Sequence, residues 1–236
     1  MGQVFGQNDV KETASEMVAE IRALPVRNTA NRRAVRRKYS RRLSQAAPEF
    51  VLGVARELLR NHGQRGLACE LIKTHKAAFE RVGEEELEEF GQGINSWGSV
   101  DTFALVLAGP AWLGGQVSDK LIHRWARSED RWWRRTALVS TVALNVRSKG
   151  GYGDVPRTLG VCRLLVNDAD DMVVKALSWA LRALVVHDPD AARGFLSEYE
   201  DVLAARVKRE VRNKLTTGLK NPRQRKSQDS SKTKSG

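Results

Sequence analysis

The sequence predicts an all-α fold, and three observations lead there. Apolar residues recur at helical spacing along most of the chain, while alternating strand patterns and Asn-Gly or Asp-Gly hairpin turns are missing. Turn and cap signals such as "ALPVRN", "AAPEF", "RVGEEE", "AGPAW", "RSKGGYGD" and "HDPD" cut the chain into segments of a dozen to twenty residues, or about ten to thirteen helices. Finally, "DRWWRRTALVSTVAL" from Asp130 and "DDMVVKALSWALRAL" from Asp170 align at an offset of 40 residues, and 38 residues separate Trp97 from Arg135. A period near 40 with two helices per unit is the pattern of a HEAT-like α-α superhelix, a solenoid whose inner helices present one concave face. A duplex would fit in it.

Along the chain, the first distinctive element is "NRRAVRRKYSRRL". It sets Arg32, Arg33, Arg36, Arg37, Lys38, Arg41 and Arg42 around an apolar stripe of Val35, Tyr39 and Leu43. Seven cations with no acid among them repel one another unless anions offset them, so this helix is expected to meet a phosphate backbone. In contrast, Glu84 to Glu89 open a helix, where acids complement the dipole, and should face away from nucleic acid. The run from Thr102 to Ser118 contains Pro110 and three glycines, which suits a buried helix better than a membrane span. From Gly218 the chain has no apolar residue beyond Leu219 and carries six basic residues against one acidic. Residues 1–217 are expected to form one domain, and residues 218–236 a disordered basic tail.

With 236 residues, 41% of them apolar, the chain is long enough for a sizeable core. Its net charge is +12, of which +5 belongs to the tail, so the folded part is basic in its own right at +7. An anionic partner follows, with nucleic acid ahead of membrane. The N-terminus has no signal-peptide pattern, so a cytoplasmic location is expected. Cys69 and Cys162 stand far apart and outside any CxxC pair, which makes buried reduced thiols the simplest reading. The four histidines form no HExxH or HxH pattern, and "SKGGYGD" follows no strand and lacks a GKS or GKT end. Neither a metal nor any other cofactor is expected.

One stretch stands apart. In "NSWGSVDTFALVLAG" an aspartate, Asp101, follows Trp97 by four positions inside an otherwise apolar segment. Positions i and i+4 share a helix face, so the two side chains project together. An ionised carboxylate on a buried face is costly without a partner. The residues alone leave two alternatives: Asp101 is solvated or pairs with an arginine of the next repeat, or it serves a reaction.

Read together, "SWGSVD", "WWRRTA" and "KALSWALR" resemble the AlkD-type family of DNA alkylation-repair glycosylases in order and spacing, over roughly residues 28 to 217. The resemblance implies that Trp97 and Trp179 are aromatic walls and that Asp101 is the catalytic carboxylate. It places Arg135 on the DNA backbone beside the lesion, with Arg182 as a further phosphate contact, and makes Arg134, Lys175, Arg32, Arg33, Arg36 and Arg37 DNA-binding candidates. Gly98 stands where relatives can carry a larger residue, and the family's N-terminal aromatic residue has no clear counterpart.

The chemistry suits these residue types. A purine alkylated at N3 or N7 is cationic and leaves without an added proton, so one carboxylate suffices where ordinary glycoside hydrolysis uses two. The expected activity is therefore a monofunctional glycosylase of base excision repair, a monomer acting on duplex DNA that contains alkylated purines, cytoplasmic and nucleoid-associated when on DNA. A noncatalytic solenoid that recognises bent or branched DNA is the alternative. A protein-interaction scaffold fits the basic folded part less well.

Overall fold

The computed structural model describes residues 6–222, and its described residues form helices, turns and loops without a strand. Fourteen α-helices are present among them. Because α7 (Trp97–Phe103) runs through a π turn, Ala104–Ala108, into α8 (Gly109–Leu113), they make thirteen rods.

The rods form two layers. The front layer stacks α2 (Thr29–Arg42), α4 (Arg65–Thr74), α7 with α8, α10 (Arg131–Leu144), α12 (Asp171–Leu184) and α14 (Ala205–Thr217), each packed on the next. Behind it lie α1 (Gln7–Arg22), α3 (Pro48–Arg60), α5 (Lys76–Glu80), α6 (Glu84–Gly91), α9 (Asp119–Ala126), α11 (Val155–Leu164) and α13 (Pro189–Glu198). The core lies between the layers, with Leu58, Leu71, Ile72, Phe90, Phe103, Leu107, Leu121, Ile122 and Phe195 fully buried. This is an all-α solenoid.

The acidic residues shared by the aligned segments are helix caps. The Asp130 carboxylate accepts the Trp132 N–H at 2.8 Å, and Asp170 accepts that of Met172 at 2.8 Å, each satisfying a donor that the first helical turn leaves free. The front-layer helices α4, α7, α10 and α12 begin at Arg65, Trp97, Arg131 and Asp171, spacings of 32, 34 and 40 residues. The units are uneven. The offset of 40 belongs to the step from α10 to α12, which includes the loop around the 3-10 turn Arg147–Lys149.

Polar ties between neighbouring units follow the same spacing. Arg32 to Gln64, Arg36 to Glu70, Ser40 to Thr74, Arg134 to Asp168, Arg131 to Asp170 and Ser178 to Glu210 join residues 32 to 39 positions apart. In the back layer, the acids of α6 are used in the same way: Glu86 and Glu89 meet Arg56, Glu89 also meets Arg60, and Glu84 and Glu88 meet Arg124.

The middle of the stack depends on close approach. Pro110 has no N–H, and its ring would crowd the carbonyl four residues back, which the wider π turn relieves as Gly109 donates to the Ala104 carbonyl. A Cβ on Gly109 would lie 2.5 Å from the Ala143 Cβ and 2.8 Å from the Ser140 carbonyl oxygen of α10. Similarly, Gly91 leaves room for the Trp133 ring, which stacks on Trp125 with centroids 4.9 Å apart and meets the Phe103 edge at 6.4 Å. These aromatics brace α7, α9 and α10 below the site described next.

Both cysteines are free and buried, and burial pushes the Cys69 thiol up to about 12. No helix among the described residues is long and apolar enough to cross a membrane. After α14, Gly218 turns the chain at φ +73°, and Lys220 reaches back to Glu210 at 3.5 Å. The remainder of the basic tail, 223–236, lies outside the described residues.

Gly109→Ala is expected to cost about 1–3 kcal/mol through overpacking against α10, read as a lowered midpoint in thermal or urea unfolding. Gly98 has open space where a Cβ would stand, so Gly98→Ala should instead stabilise by up to about 1 kcal/mol. Equal effects at the two glycines would contradict the close approach.

Candidate active site

The site begins at a capped helix start. The Ser96 hydroxyl accepts the Ser99 N–H at 3.4 Å and shares a hydrogen bond with the Ser99 hydroxyl at 2.9 Å, so α7 opens with Trp97. The preceding loop is tied to α4, where Arg65 donates to the Phe90 carbonyl and, at 2.7 Å, to that of Gln92. Trp97 is 61% exposed. An indole held outward on a well-anchored helix start is no core residue, and its ring is open to a partner.

One turn on, Asp101 is half-buried and gripped by Arg135 of α10. Arg135 Nη2 donates to Oδ1 at 2.8 Å and to Oδ2 at 3.0 Å, while Nε donates to Oδ1 at 3.1 Å. The remaining arm, Nη1, donates to the Met172 carbonyl in the first turn of α12 at 2.7 Å. One guanidinium thus ties three successive front-layer units. Side-chain exposure is 6% for Arg135 and 18% for Asp101, so the carboxylate keeps a small open face while the guanidinium is enclosed. Burial raises the Asp101 pKa above the ordinary aspartate value, and Arg135, by charge and by hydrogen bond, opposes the rise.

Trp179 lies on α12 seven residues beyond Met172, hence on the same helix face, and is partly buried against the core. Trp97 and Asp101 on α7 and Trp179 on α12 thus lie on either side of α10, whose Arg135 ties Asp101 to the first turn of α12.

The basic candidates separate into two groups. Arg135 is committed to Asp101 and to the α12 backbone. Arg134 donates to Asp168 at 2.6 Å and to the Ser128 and Glu129 carbonyls, and Lys175 pairs with Asp171 at 2.5 Å. Arg182 donates to the Ser178 hydroxyl at 3.2 Å and faces the buried Glu210 at 3.7 Å. On α2, Arg36 pairs with Glu70, Lys38 with Glu20 and Arg42 with Glu16, and Arg32 donates to Gln64. Acids absent from α2 itself are thus supplied by α1 and α4. Arg33, Arg37 and Arg41 have no such partner among the described residues and are exposed. Spaced i, i+4, i+8, they form one stripe on the face opposite Val35 and Tyr39. At its start, Arg32 and Arg33 line a hollow of about 300 Å³ with Thr29, Gly66, Leu67, Glu70 and Thr102, the last adjoining Asp101.

Over residues 5–215 the chain matches the family model described as "DNA alkylation repair enzyme". It belongs to that family. Neither the curated proteins nor the solved structures include a significant match. Membership in a DNA alkylation repair family makes DNA the partner class, consistent with the free arginine stripe and the net charge of +12.

Sequence reasoning grouped Arg41 with all seven α2 cations without separating the free from the paired, and did not reach the Met172 carbonyl or Glu210, which is 3% exposed and accepts from Ser178 at 2.6 Å. Arg41 was legible through its i+4 spacing from Arg37. A backbone acceptor and a cross-repeat acid leave no local pattern.

In this repair-family chain the Asp101 carboxyl, followed by ¹³C NMR, is expected to titrate above the ordinary aspartate range. Arg135→Ala removes both influences that oppose the rise, so the midpoint should move to higher pH, with Arg135→Lys between; no movement would remove Arg135 as the controlling partner. Arg135→Ala should also destabilise the fold by about 3 kcal/mol, because it strands a largely buried charge.

Proposed function

We propose that this chain is a monofunctional DNA glycosylase of base excision repair. It hydrolyses the N-glycosidic bond of positively charged N3- or N7-alkylated purines in duplex DNA. The observation that carries the reading is the half-buried Asp101 carboxylate, clamped by Arg135 one helical turn from the outward-facing Trp97.

The reaction follows from the charges. As the bond from C1′ to the purine nitrogen lengthens, its electron pair moves onto the base, which leaves neutral, and positive charge develops on the sugar. Asp101 stabilises that charge, orients a water toward C1′ and accepts its proton, leaving an abasic site. Trp97 and Trp179 face the cationic nucleotide through their π clouds. Arg135 acts as a positioning residue, holding Asp101 ionised and aimed. The motif assigns no lysine to Schiff-base chemistry, so strand cleavage is not part of the proposed reaction.

The supporting scaffold is a HEAT-like superhelix of residues 1–217 whose concave front layer follows the duplex. Arg33, Arg37 and Arg41 follow the phosphate backbone, and the basic residues of 218–236 add nonspecific affinity. Arg134 and Arg182 hold neighbouring units together beside the DNA, and Lys175 pairs with Asp171 within α12. The enzyme acts as a monomer in the cytoplasm, where it meets the nucleoid.

The deciding experiment is single-turnover release of 7-methylguanine and 3-methyladenine from a defined duplex, with binding followed by gel shift. Asp101→Asn is expected to lower release by about 10²-fold or more with binding retained. A wild type that binds but releases neither base would leave the noncatalytic DNA-binding solenoid as the better reading. Replacing Arg33, Arg37 and Arg41 by alanine should flatten the dependence of log K on log salt by about 0.9 per lost contact; an unchanged slope would take the stripe off the backbone.

A further inference from the structure

A second surface lies at the other end of the front-layer helices. The seventeen residues from Trp97 to Leu113 span about 25 Å at 1.5 Å per residue, and the loop after α10 rests against the Leu113 end, where a Cβ on Gly150 would lie 3.4 Å from the Leu113 side chain. This loop, Asn145 to Asp154, is held from several sides. The buried Asn145 side chain donates to the Thr141 carbonyl at 2.9 Å and to the Thr158 hydroxyl at 2.8 Å, and accepts the Asp154 N–H at 3.2 Å. His187 Nε2 donates to the Asn145 carbonyl at 2.7 Å. The Gly151 and Gly153 N–H groups bond back to the carbonyls of Val146 and Leu144, each at 3.1 Å. Gly150 and Gly153 turn at φ +93° and +94°, and a Cβ on Gly151 would strike the Ala143 and Leu144 backbone at 2.3 Å. Three glycines are needed to press the chain this closely against the end of α10.

This anchored loop holds Tyr152 out to solvent, 82% exposed, the most exposed large hydrophobic residue among those described. Two cations share its loop. Arg147 is exposed on the same loop, and Lys149 lies close enough to Lys73 at the end of α4 for its charge to add to burial in lowering the Lys73 pKa. Lys73 stands 3.6 Å over the Phe79 ring. Among the described residues, no acid forms an ion pair with Arg147, Lys149 or Lys73, and the acid of the loop, Asp154, is occupied by Arg157 at 2.6 Å. Like charges brought together without an acid favour an anion between them, and a rigid exposed phenol ring favours a planar group.

We propose that Tyr152, Lys149, Lys73 and Arg147 form a subsite for an unpaired DNA strand adjoining the bound duplex, with Tyr152 stacking on a base and the cations meeting its phosphates. Cationic grooves with stacking aromatics are how single strands are held without sequence preference. A base inside a duplex has no free face for Tyr152, which is why an unpaired strand is favoured. This subsite deepens the DNA repair reading and rests on it for the choice of nucleic acid, but uses none of the catalytic residues.

The test compares a blunt duplex with the same duplex carrying an eight-nucleotide single-stranded extension at one end or the other, by fluorescence anisotropy with the full chain. One extended duplex should bind more tightly than the blunt one. Tyr152→Ala should remove that gain, about tenfold or more, and Tyr152→Phe should keep it. Lys73→Ala with Lys149→Ala should lower the salt slope on the extended duplex by about 0.7 per contact and leave the blunt duplex unaffected. The subsite is overturned if neither extension improves binding, if Tyr152→Ala keeps the gain, or if it weakens blunt and extended duplexes alike; unaltered DNA titrations would point to an acidic protein partner. Release of 7-methylguanine from the blunt duplex is measured alongside. Loss of release with a Tyr152-dependent gain would sink the glycosylase reading alone, and intact release without a gain would sink the subsite alone.

Discussion

The bidentate contact between Arg135 and Asp101 is the interaction on which the central part of this structure depends. A carboxylate placed on the packed side of a helix loses hydration, and a single arginine compensates by offering both Asp101 oxygens a donor while its third arm takes the Met172 carbonyl. Because those groups come from α7, α10 and α12, the same contact that makes a half-buried charge tolerable also sets the spacing of three units. The opposition between burial, which raises the Asp101 pKa, and Arg135, which lowers it, keeps a carboxylate ionisable in an enclosed place. A group of that kind suits chemistry on a cation.

The contact requires close approach of the helices that bear it. Gly109 lets the π turn and α8 lie directly on α10, and Gly91 admits the Trp133 ring into the aromatic cluster beneath α7. Pro110 interrupts the regular hydrogen-bond ladder at the same level, and the π turn absorbs the interruption. Packing around the site is therefore set by what small residues permit, while the charged pair chooses among the arrangements left.

Charge is distributed by a similar logic. An arginine-rich helix is self-repelling in isolation, and neighbouring helices neutralise part of it: Glu16 and Glu20 from α1 take Arg42 and Lys38, and Glu70 from α4 takes Arg36. What remains is a narrow stripe of Arg33, Arg37 and Arg41. Cations counted in the sequence are thus of two kinds, those that hold units together and those left for a partner. Arg134 and Arg182 belong to the first kind here, while Lys175 pairs with Asp171 inside α12.

By itself the sequence determined the helical class, the alignment of the two segments that start at Asp130 and Asp170, and the shared face of Trp97 and Asp101, because each follows from helical geometry within a few residues. Resemblance in three short segments was enough to point to the repair family. Only the tertiary structure decided that Asp101 is held by Arg135, that Trp97 faces outward while Trp179 is partly buried, and which arginines are free. The physical reason is distance along the chain: the partners of these groups lie 18 to 39 residues away on other helices. Local periodicity carries no record of which residue will stand opposite once the units stack.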